Sequence, residues 1–353
     1  MAEGSGLILA VETSCDETAV ALVHGGRRIR SNVVASQAEL HAGTGGIVPE
    51  VAARAHLRWM LPVLERAVEQ GGLDDWRDVE AIAVTYGPGL AGSLLVGLTM
   101  AKTLAWLHDR PLVPVNHHEG HIYAAWLLDP GQEEQAAPVF PLVALVVSGG
   151  HTFLVEMPDH LTYRLLGQTV DDAAGEAFDK VGRLLGLPYP GGPAIQRAAA
   201  DAVHHARHFP RAWLGDSYDF SFSGLKTAVR RAVKEIAGGT ADDGLTLAPD
   251  LVAETAWAFQ DSVVDVLATK TVRAARQARA ATIILGGGVA ANAALRDRVR
   301  GLAAELDVPV VIPRPGLCTD NAAMIGAAGF LRARAGVRAG WDLEAHPSLR
   351  LAG

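Results

Sequence analysis

Cysteine is nearly absent: two thiols, Cys15 and Cys318, stand in 353 residues. They offer no disulfide framework, so the chain is expected in a reducing compartment. Long apolar runs are missing as well. The longest, "GSLLVGLTMAKTLAWL" at 92–107, is too short and too interrupted to span a bilayer. The opening "MAEGSGLILAVE" has no basic stretch, and its apolar run breaks at Glu12, unlike a secretory signal. A cytoplasmic protein without membrane association is expected. Positive charge is in deficit too. Against 39 acidic residues there are 31 Lys and Arg, a net charge of −8, which argues against coating nucleic acid by bulk electrostatics. Local basic groups exist at Arg27, Arg28 and Arg30, at Arg54 and Arg58, and at Lys226, Arg230, Arg231 and Lys234. Each taken singly reads as a solvated face.

About half of the residues are apolar (49%), enough for more than one core. "LILAVETSCDETAVALVHGGRRI" reads as two strands joined by a polar turn at 13–18. "PLVALVVSGGHTFLVEMPDHLTYRLLG" reads as strand, Ser-Gly-Gly-His turn, strand and a further strand. Short buried strands follow each, at 79–85 and 110–116, then at 281–287 and 308–314. Helical periodicity covers 49–70, 90–109, 251–279 and 290–305. A hairpin followed by βαβ, used twice, predicts two α/β halves of similar plan. The first lobe is assigned to 1–128, the linker to 129–138 and the second lobe to 139–319. A helical insertion of about 171–250 interrupts the second lobe, and a C-terminal helix of about 320–345 is expected to pack back on the first. A cleft between the halves is where a ligand would be expected.

Two glycine turns bear on what might bind. "VVSGGHT" (146–152) follows a buried strand, and Gly149 and Gly150 let backbone N–H groups approach an anion. "ILGGGVAANAAL" (284–295) sets a helix N-terminus after a strand. The dinucleotide pattern is matched only loosely, because the next strand ends in Arg314 rather than an acid. No G-x-x-x-x-G-K-[ST] loop is present, which excludes a P-loop enzyme. Either turn alone is explained by tight packing; two together favour a nucleotide-like ligand.

"NHHEGH" (116–121) holds the densest cluster of histidines. If Asn116 caps a helix, His117 and His121 are spaced i, i+4 and point the same way. That suits two imidazoles on one zinc or iron ion. A zincin motif beginning at His118 would need a histidine at 122, where Ile122 stands. Asp320, at the start of a Gly/Ala-rich helix, is the best distant third ligand. The competing reading is a pair of histidines at a helix start, hydrogen-bonded to solvent.

Taken together, "VETSCDETAVAL", "GPGLAGSLLVG", "NHHEGH", "VSGGHT", "DDAAGEAFDKVGRLLGLPYPGGP", "DFSFSGLKTAV", "GGGVAAN" and "CTDNAAMIG" resemble the bacterial TsaD-type tRNA N6-adenosine threonylcarbamoyltransferases, formerly described as glycoproteases. The resemblance runs in order from about residue 7 to about 335. It implies the duplicated ribonuclease-H-like architecture of actin, Hsp70 and sugar kinases, an α/β fold with two lobes around a nucleotide cleft. It also implies transfer of a threonylcarbamoyl group from threonylcarbamoyl-adenylate to the N6 amine of the adenosine 3′ of the anticodon. Position by position, His117, His121 and Asp320 would hold one divalent metal, iron with zinc as the alternative. Val146, Val147, Ser148, Gly149, Gly150, Asp179, Gly192 and Asn292 would bind the adenylate. Implied partners are tRNA, a paralogous non-catalytic subunit of TsaB type and a small ATPase of TsaE type.

Asp16 and Glu17 are candidate polar groups near the reacting centre, although a polar hairpin turn explains them equally well. Glu119 is read as a helix-start group and His118 as a non-ligand; His151 is a candidate extra ligand or substrate contact. Cys15 and Cys318 are read as packing residues, Lys226 as facing nucleotide, tRNA or solvent, and Trp59, Trp106 and Trp257 as core. Two rival functions remain, a metalloprotease and a nucleotide-binding scaffold without chemistry of its own.

Overall fold

The computed structural model describes residues 6–43, 46–132, 136–236 and 247–351. Residues 133–135 of the expected linker, and 237–246 near the end of the expected insertion, lie outside the described residues. The chain divides into two compact units, Met1–Pro138 with Thr319–Gly353, and Val139–Cys318.

In the first unit, aliphatic runs form the strands β1 (Leu7–Glu12) and β2 (Glu17–His24), paired antiparallel from Leu7↔His24 to Glu12↔Ala19. β3 (Arg28–Ser36) adds to β2, and β4 (Val79–Gly87) and β5 (Leu112–Asn116) run parallel to β1, giving the order β3-β2-β1-β4-β5. β1 is buried along its whole length, as a strand covered on both faces must be, so its sequence is continuously apolar until Glu12. The third strand is a correction to the two-strand reading of this hairpin. Its polar, weakly alternating "RIRSNVVAS" suits a sheet edge, and it places Arg28 and Arg30 in a strand rather than after one. Helix Pro49–Gly71 opens with proline in its first turn and closes on left-handed Gly72. Helix Ala322–Arg334, rich in Ala and Gly, lies against β1, β2, β4 and β5.

The second unit repeats the plan. β6 (Leu142–Val147), β7 (Thr152–Asp159) and β8 (Thr162–Gln168) form the antiparallel part, and β9 (Thr282–Gly286) and β10 (Val310–Val311) the parallel part. The order β10-β9-β6-β7-β8 is that of the first sheet, strand for strand. β10 keeps two residues of the strand expected over 308–314, because Pro309 and Pro313 flank it and cannot donate to a ladder. Helices Ala174–Leu184, Gly191–Ala200 and Ser223–Ile236 stand between β8 and the long helix Pro249–Ala278. Their core meets at Phe178 and Phe259, whose rings lie edge to face at 5.1 Å. Helix Ala293–Ala304 follows β9 after a 3-10 turn at Gly288–Ala291.

One strand order used twice, with the same two antiparallel and two parallel pairings, is the duplicated ribonuclease-H-like architecture. Trp106 does not join a core: it is 71% exposed near the end of helix Ala91–Leu107. Trp59 and Trp257 are partly buried against the cores of their own units. Among the described residues, no helix is long and apolar enough to cross a membrane.

Candidate metal centre and glycine turns

β5 delivers the chain to Asn116, whose extended backbone and side chain cap helix His117–Tyr123. The Asn116 side-chain oxygen accepts from the His118 N–H at 2.8 Å, and the Glu119 carboxylate accepts from the Asn116 N–H at 3.3 Å. Glu119 also takes both contacts from Arg332, at 3.0 and 2.9 Å, which ties the short helix to Ala322–Arg334. This helix is buried on every side. One helical turn brings the His117 and His121 rings to 4.6 Å, nearly perpendicular. Asp320, just before the Asn321 cap of the last helix, sets Oδ1 3.5 Å from His117 Nε2 and 3.2 Å from His121 Nε2. One ligand atom from each of the three residues lies within 4.8 Å of the others. Two imidazoles and one carboxylate so arranged fit a divalent ion with positions left for substrate.

What holds His117 in place is not visible in the local motif. Its Nδ1 lies 3.2 Å from Glu12 Oε2 and 3.1 Å from Ser14 Oγ. Glu12 is fully buried at the end of β1 and also accepts from the Ser14 N–H and the Thr85 hydroxyl. A proton on Nδ1 shared with this carboxylate leaves the Nε2 lone pair directed at Asp320 and its neighbour, as in carboxylate–histidine–metal relays. Burial pushes the Glu12 carboxyl up, but the charge and hydrogen bond of His117 outweigh it and leave the group below its ordinary value. Burial likewise opposes charge on His117, yet Asp320 and Glu12 together lift it to about 9. A positive charge is wanted at this place, and either a proton or a metal ion supplies it.

The turn after Glu12 carries the remaining candidates. The Glu17 carboxylate accepts from the Ser36 hydroxyl at 3.1 Å, and burial, followed by the charges of Asp320 and Asp16, pushes it up to about 10. The Asp16 carbonyl accepts from the Gln37 N–H at 3.0 Å. His56, fully buried, braces the turn through Thr18 at 2.7 Å and the Cys15 carbonyl at 3.0 Å. Burial and the Asp16 charge push the Cys15 thiol far up, and burial raises Cys318 as well, so neither is primed as a thiolate. His118 lies outside the metal-competent group, its ring 6.2 Å from that of His117.

The adenylate candidates all fall in the second unit, in a cluster formed by the turns after β6 and β9 and the helices packed beside them. The Ser148 N–H donates to the His151 carbonyl at 2.7 Å, which makes Ser148–His151 a tight turn. Helix Ala174–Leu184 starts against this turn, with the Gly175 N–H donating to the Ser148 carbonyl at 3.2 Å. A Cβ on Gly175 would come within 2.4 Å of that carbonyl, so only glycine permits the approach. Gly287, at φ 84°, lies so close to Val147 that a Cβ would stand 2.4 Å from the Val147 carbonyl. Side chains at Gly149, Gly150 or Gly192 would meet nothing within 4 Å. Asp179 accepts from the Gly191 N–H at 2.7 Å, and burial raises its carboxyl. Asn292 caps helix Ala293–Ala304 through the Leu295 N–H at 3.0 Å and donates to Gln260 at 2.7 Å. Its amide is therefore occupied at both ends. Gln196, which accepts from the Ala293 N–H at 2.7 Å, and Gln260 belong to this cluster without any motif having marked them.

Three comparisons bear on this arrangement. The family model described as TsaD, tRNA N6-adenosine threonylcarbamoyltransferase, matches residues 28–327. A protein of Thermomicrobium roseum named tRNA N6-adenosine threonylcarbamoyltransferase is 55% identical over 358 residues, covering 98% of this chain and 97% of that one. One of Geobacillus kaustophilus with the same name is 51% identical over 346 residues, covering 98% and 96%. Among solved structures, HypF of T. kodakarensis is similar with a TM-score of 0.59 at 14% identity, over 94% of this chain and 48% of that one, which is a likeness of fold. The chain belongs to the TsaD family of tRNA N6-adenosine threonylcarbamoyltransferases.

Proposed function

We propose that the chain transfers the threonylcarbamoyl group of threonylcarbamoyl-adenylate to the N6 amine of the adenosine 3′ of the anticodon, in tRNAs reading codons that begin with A, and releases AMP. The observation that carries the reading is the His117–His121–Asp320 group, its histidines buried, its aspartate half-buried and His117 anchored by Glu12, in a chain that matches the family over 28–327. Glu119, the acid that follows a histidine as in the His-Glu protease pattern, is committed to Arg332 and to the helix cap, which favours the transferase over the metalloprotease.

The donor is a mixed carbamic–phosphoric anhydride, so the bond that breaks joins the carbamoyl carbon to a phosphate oxygen, and the leaving phosphate needs little protonation. His117, His121 and Asp320 would hold the ion, iron(II) with zinc(II) as the alternative. A bound divalent ion supplies Lewis-acid stabilisation of charge developing on substrate oxygens. Glu12 and Ser14 keep the His117 ring oriented for that task. The open backbone at Gly149 and Gly150 offers N–H groups to the departing phosphate, and Val146, Val147, Ser148, Asp179, Gly192 and Asn292 frame the nucleoside. Adenine N6 is a weak nucleophile, so its orientation matters, and Asp16 receives its proton, since Glu17, pushed up to about 10, already holds one near neutral pH.

A net charge of −8 leaves little bulk attraction for tRNA, so a TsaB-type paralogue and a TsaE-type ATPase supply part of the tRNA contact in this reading. The reaction would take place in the cytoplasm. The test supplies the assembled proteins with threonylcarbamoyl-adenylate and unmodified tRNA and analyses the nucleosides by mass spectrometry. Threonylcarbamoyladenosine and AMP are expected; metal-loaded protein that leaves the adenosine unmodified would overturn the proposal. The chain alone should bind tRNA more weakly than the complex at physiological salt, and equal affinity would remove the argument for partners.

A further inference from the structure

Helix Ser223–Ile236 departs from the acidic balance of the chain. Its apolar side, Leu225, Val229, Ala232 and Val233, is buried in the core of the second unit. Its other side exposes Lys226, Arg230, Arg231 and Lys234, with Glu235 as the helix's one acid. Among the described residues, none of the four cations has an ion-pair partner. Cations on neighbouring elements do: Lys180 pairs with Asp172 and Glu176, Arg211 with Asp261 and Asp265, and Arg298 with Asp265.

The unpaired set is also costly to the fold by itself. Lys226, Arg230 and Lys234 follow one another at i, i+4 and i+8, and like charges at that spacing destabilise a helix. The helix is nevertheless fixed at its start, where Asp171 accepts from the N–H groups of Phe222 and Ser223 and the hydroxyls of Ser221 and Ser223. The result is a rigid row of cations separated by four residues each, a step of about 6 Å along the axis. That step is close to the spacing of consecutive phosphates on a polynucleotide strand.

We propose that the Lys226–Arg230–Lys234 face, with Arg231 beside it, binds the phosphate backbone of the tRNA substrate. The proposal rests on the transferase reading and assigns this unit a part in holding tRNA that bulk charge does not provide. Contacts of this kind position the RNA without reading its bases, so they act alike on every tRNA the enzyme takes.

The test measures tRNA affinity of the assembled complex across a salt series, for the natural chain and for Lys226→Ala/Arg230→Ala/Lys234→Ala. The variant should bind on the order of tenfold more weakly at low salt, and the slope of log affinity against log salt should fall by about 2 to 3. Lys226→Arg/Lys234→Arg should keep the slope. Circular dichroism reports folding; should the triple variant unfold, Arg230→Gln alone should still lower the slope by about 0.7 to 0.9. An unchanged slope overturns the proposal, and so does a variant that keeps the slope but fails to assemble with its protein partners, which would give the face to a protein. A natural chain that makes no modified nucleoside from adenylate and tRNA would instead refute the transferase reading, whatever the slopes.

Discussion

The two units share a strand order and diverge at one corresponding point, the end of the central strand. β1 ends in Glu12 and runs into a turn of hydroxyls and acids; β6 ends in Val147 and runs into a turn of Ser148 and two glycines. In the first unit the buried carboxylate, with Thr85 and Ser14, holds a histidine beside a second histidine and an aspartate. In the second, the strand end is approached closely by Gly175 and Gly287 and carries almost no charge. One backbone plan thus presents two histidines and an aspartate beside one strand end and open glycine backbone at the other. The difference lies in the residues at the strand ends, while the two sheets keep one strand order.

That contrast can be broken from either side. His117→Ala removes a proposed ligand, and threonylcarbamoyl transfer should fall by at least about a hundredfold with metal content by elemental analysis near zero, while AMP binding in calorimetry stays. Glu12→Gln keeps the shape but removes the charge behind His117; metal affinity, read by competition with a chromophoric chelator, should drop about 10- to 100-fold. Metal loading of the natural chain should also climb as pH rises toward about 9, because the ion displaces the proton that Glu12 and Asp320 hold on His117. A flat dependence would mean that the histidine is not a ligand. On the other side, Gly287→Ala forces a Cβ against the Val147 carbonyl at a φ of 84°. It should cost about 1 to 3 kcal/mol in denaturant unfolding and weaken AMP binding, with metal content unchanged.

The smallest effect is expected at Asp171→Ala, about 1 kcal/mol from the lost start of helix Ser223–Ile236. Burial raises that carboxyl, but bonds from Ser221, Phe222 and Ser223 outweigh it and hold it below 3.8. A depressed folded value means that this stability is fully present above about 3.8 and is lost as acid titrates the folded group below it. The variant should lose that acid-side slope in melting experiments.

Much of this is legible in the sequence. Apolar runs separated by Thr-Ser-Cys-Asp and Ser-Gly-Gly-His turns mark both hairpins, and Asn116 reads as a cap because its side chain and Glu119 stand at capping distance in sequence. His117 and His121 share a face by periodicity alone. Other features depend on partners far along the chain. Glu12 reads as the end of an apolar run until folding brings it to a histidine 105 positions away. β3 sits at an edge where half of its residues meet water, so alternation is weak. Trp106 reads as core because its helix is apolar around it, yet it lies on the exposed side. Asn292 shows the reverse: the motif marks the residue, and the fold adds a task the motif does not show, a helix cap and a bond to Gln260.

Transfer should depend on a divalent ion held by the His117–His121–Asp320 group. The most direct measurement titrates iron(II) or zinc(II) into metal-free protein with partners, adenylate and tRNA present, following bound metal and modified nucleoside together. Both should rise in step and level off at one ion per chain. Full transfer at zero bound metal would contradict the account.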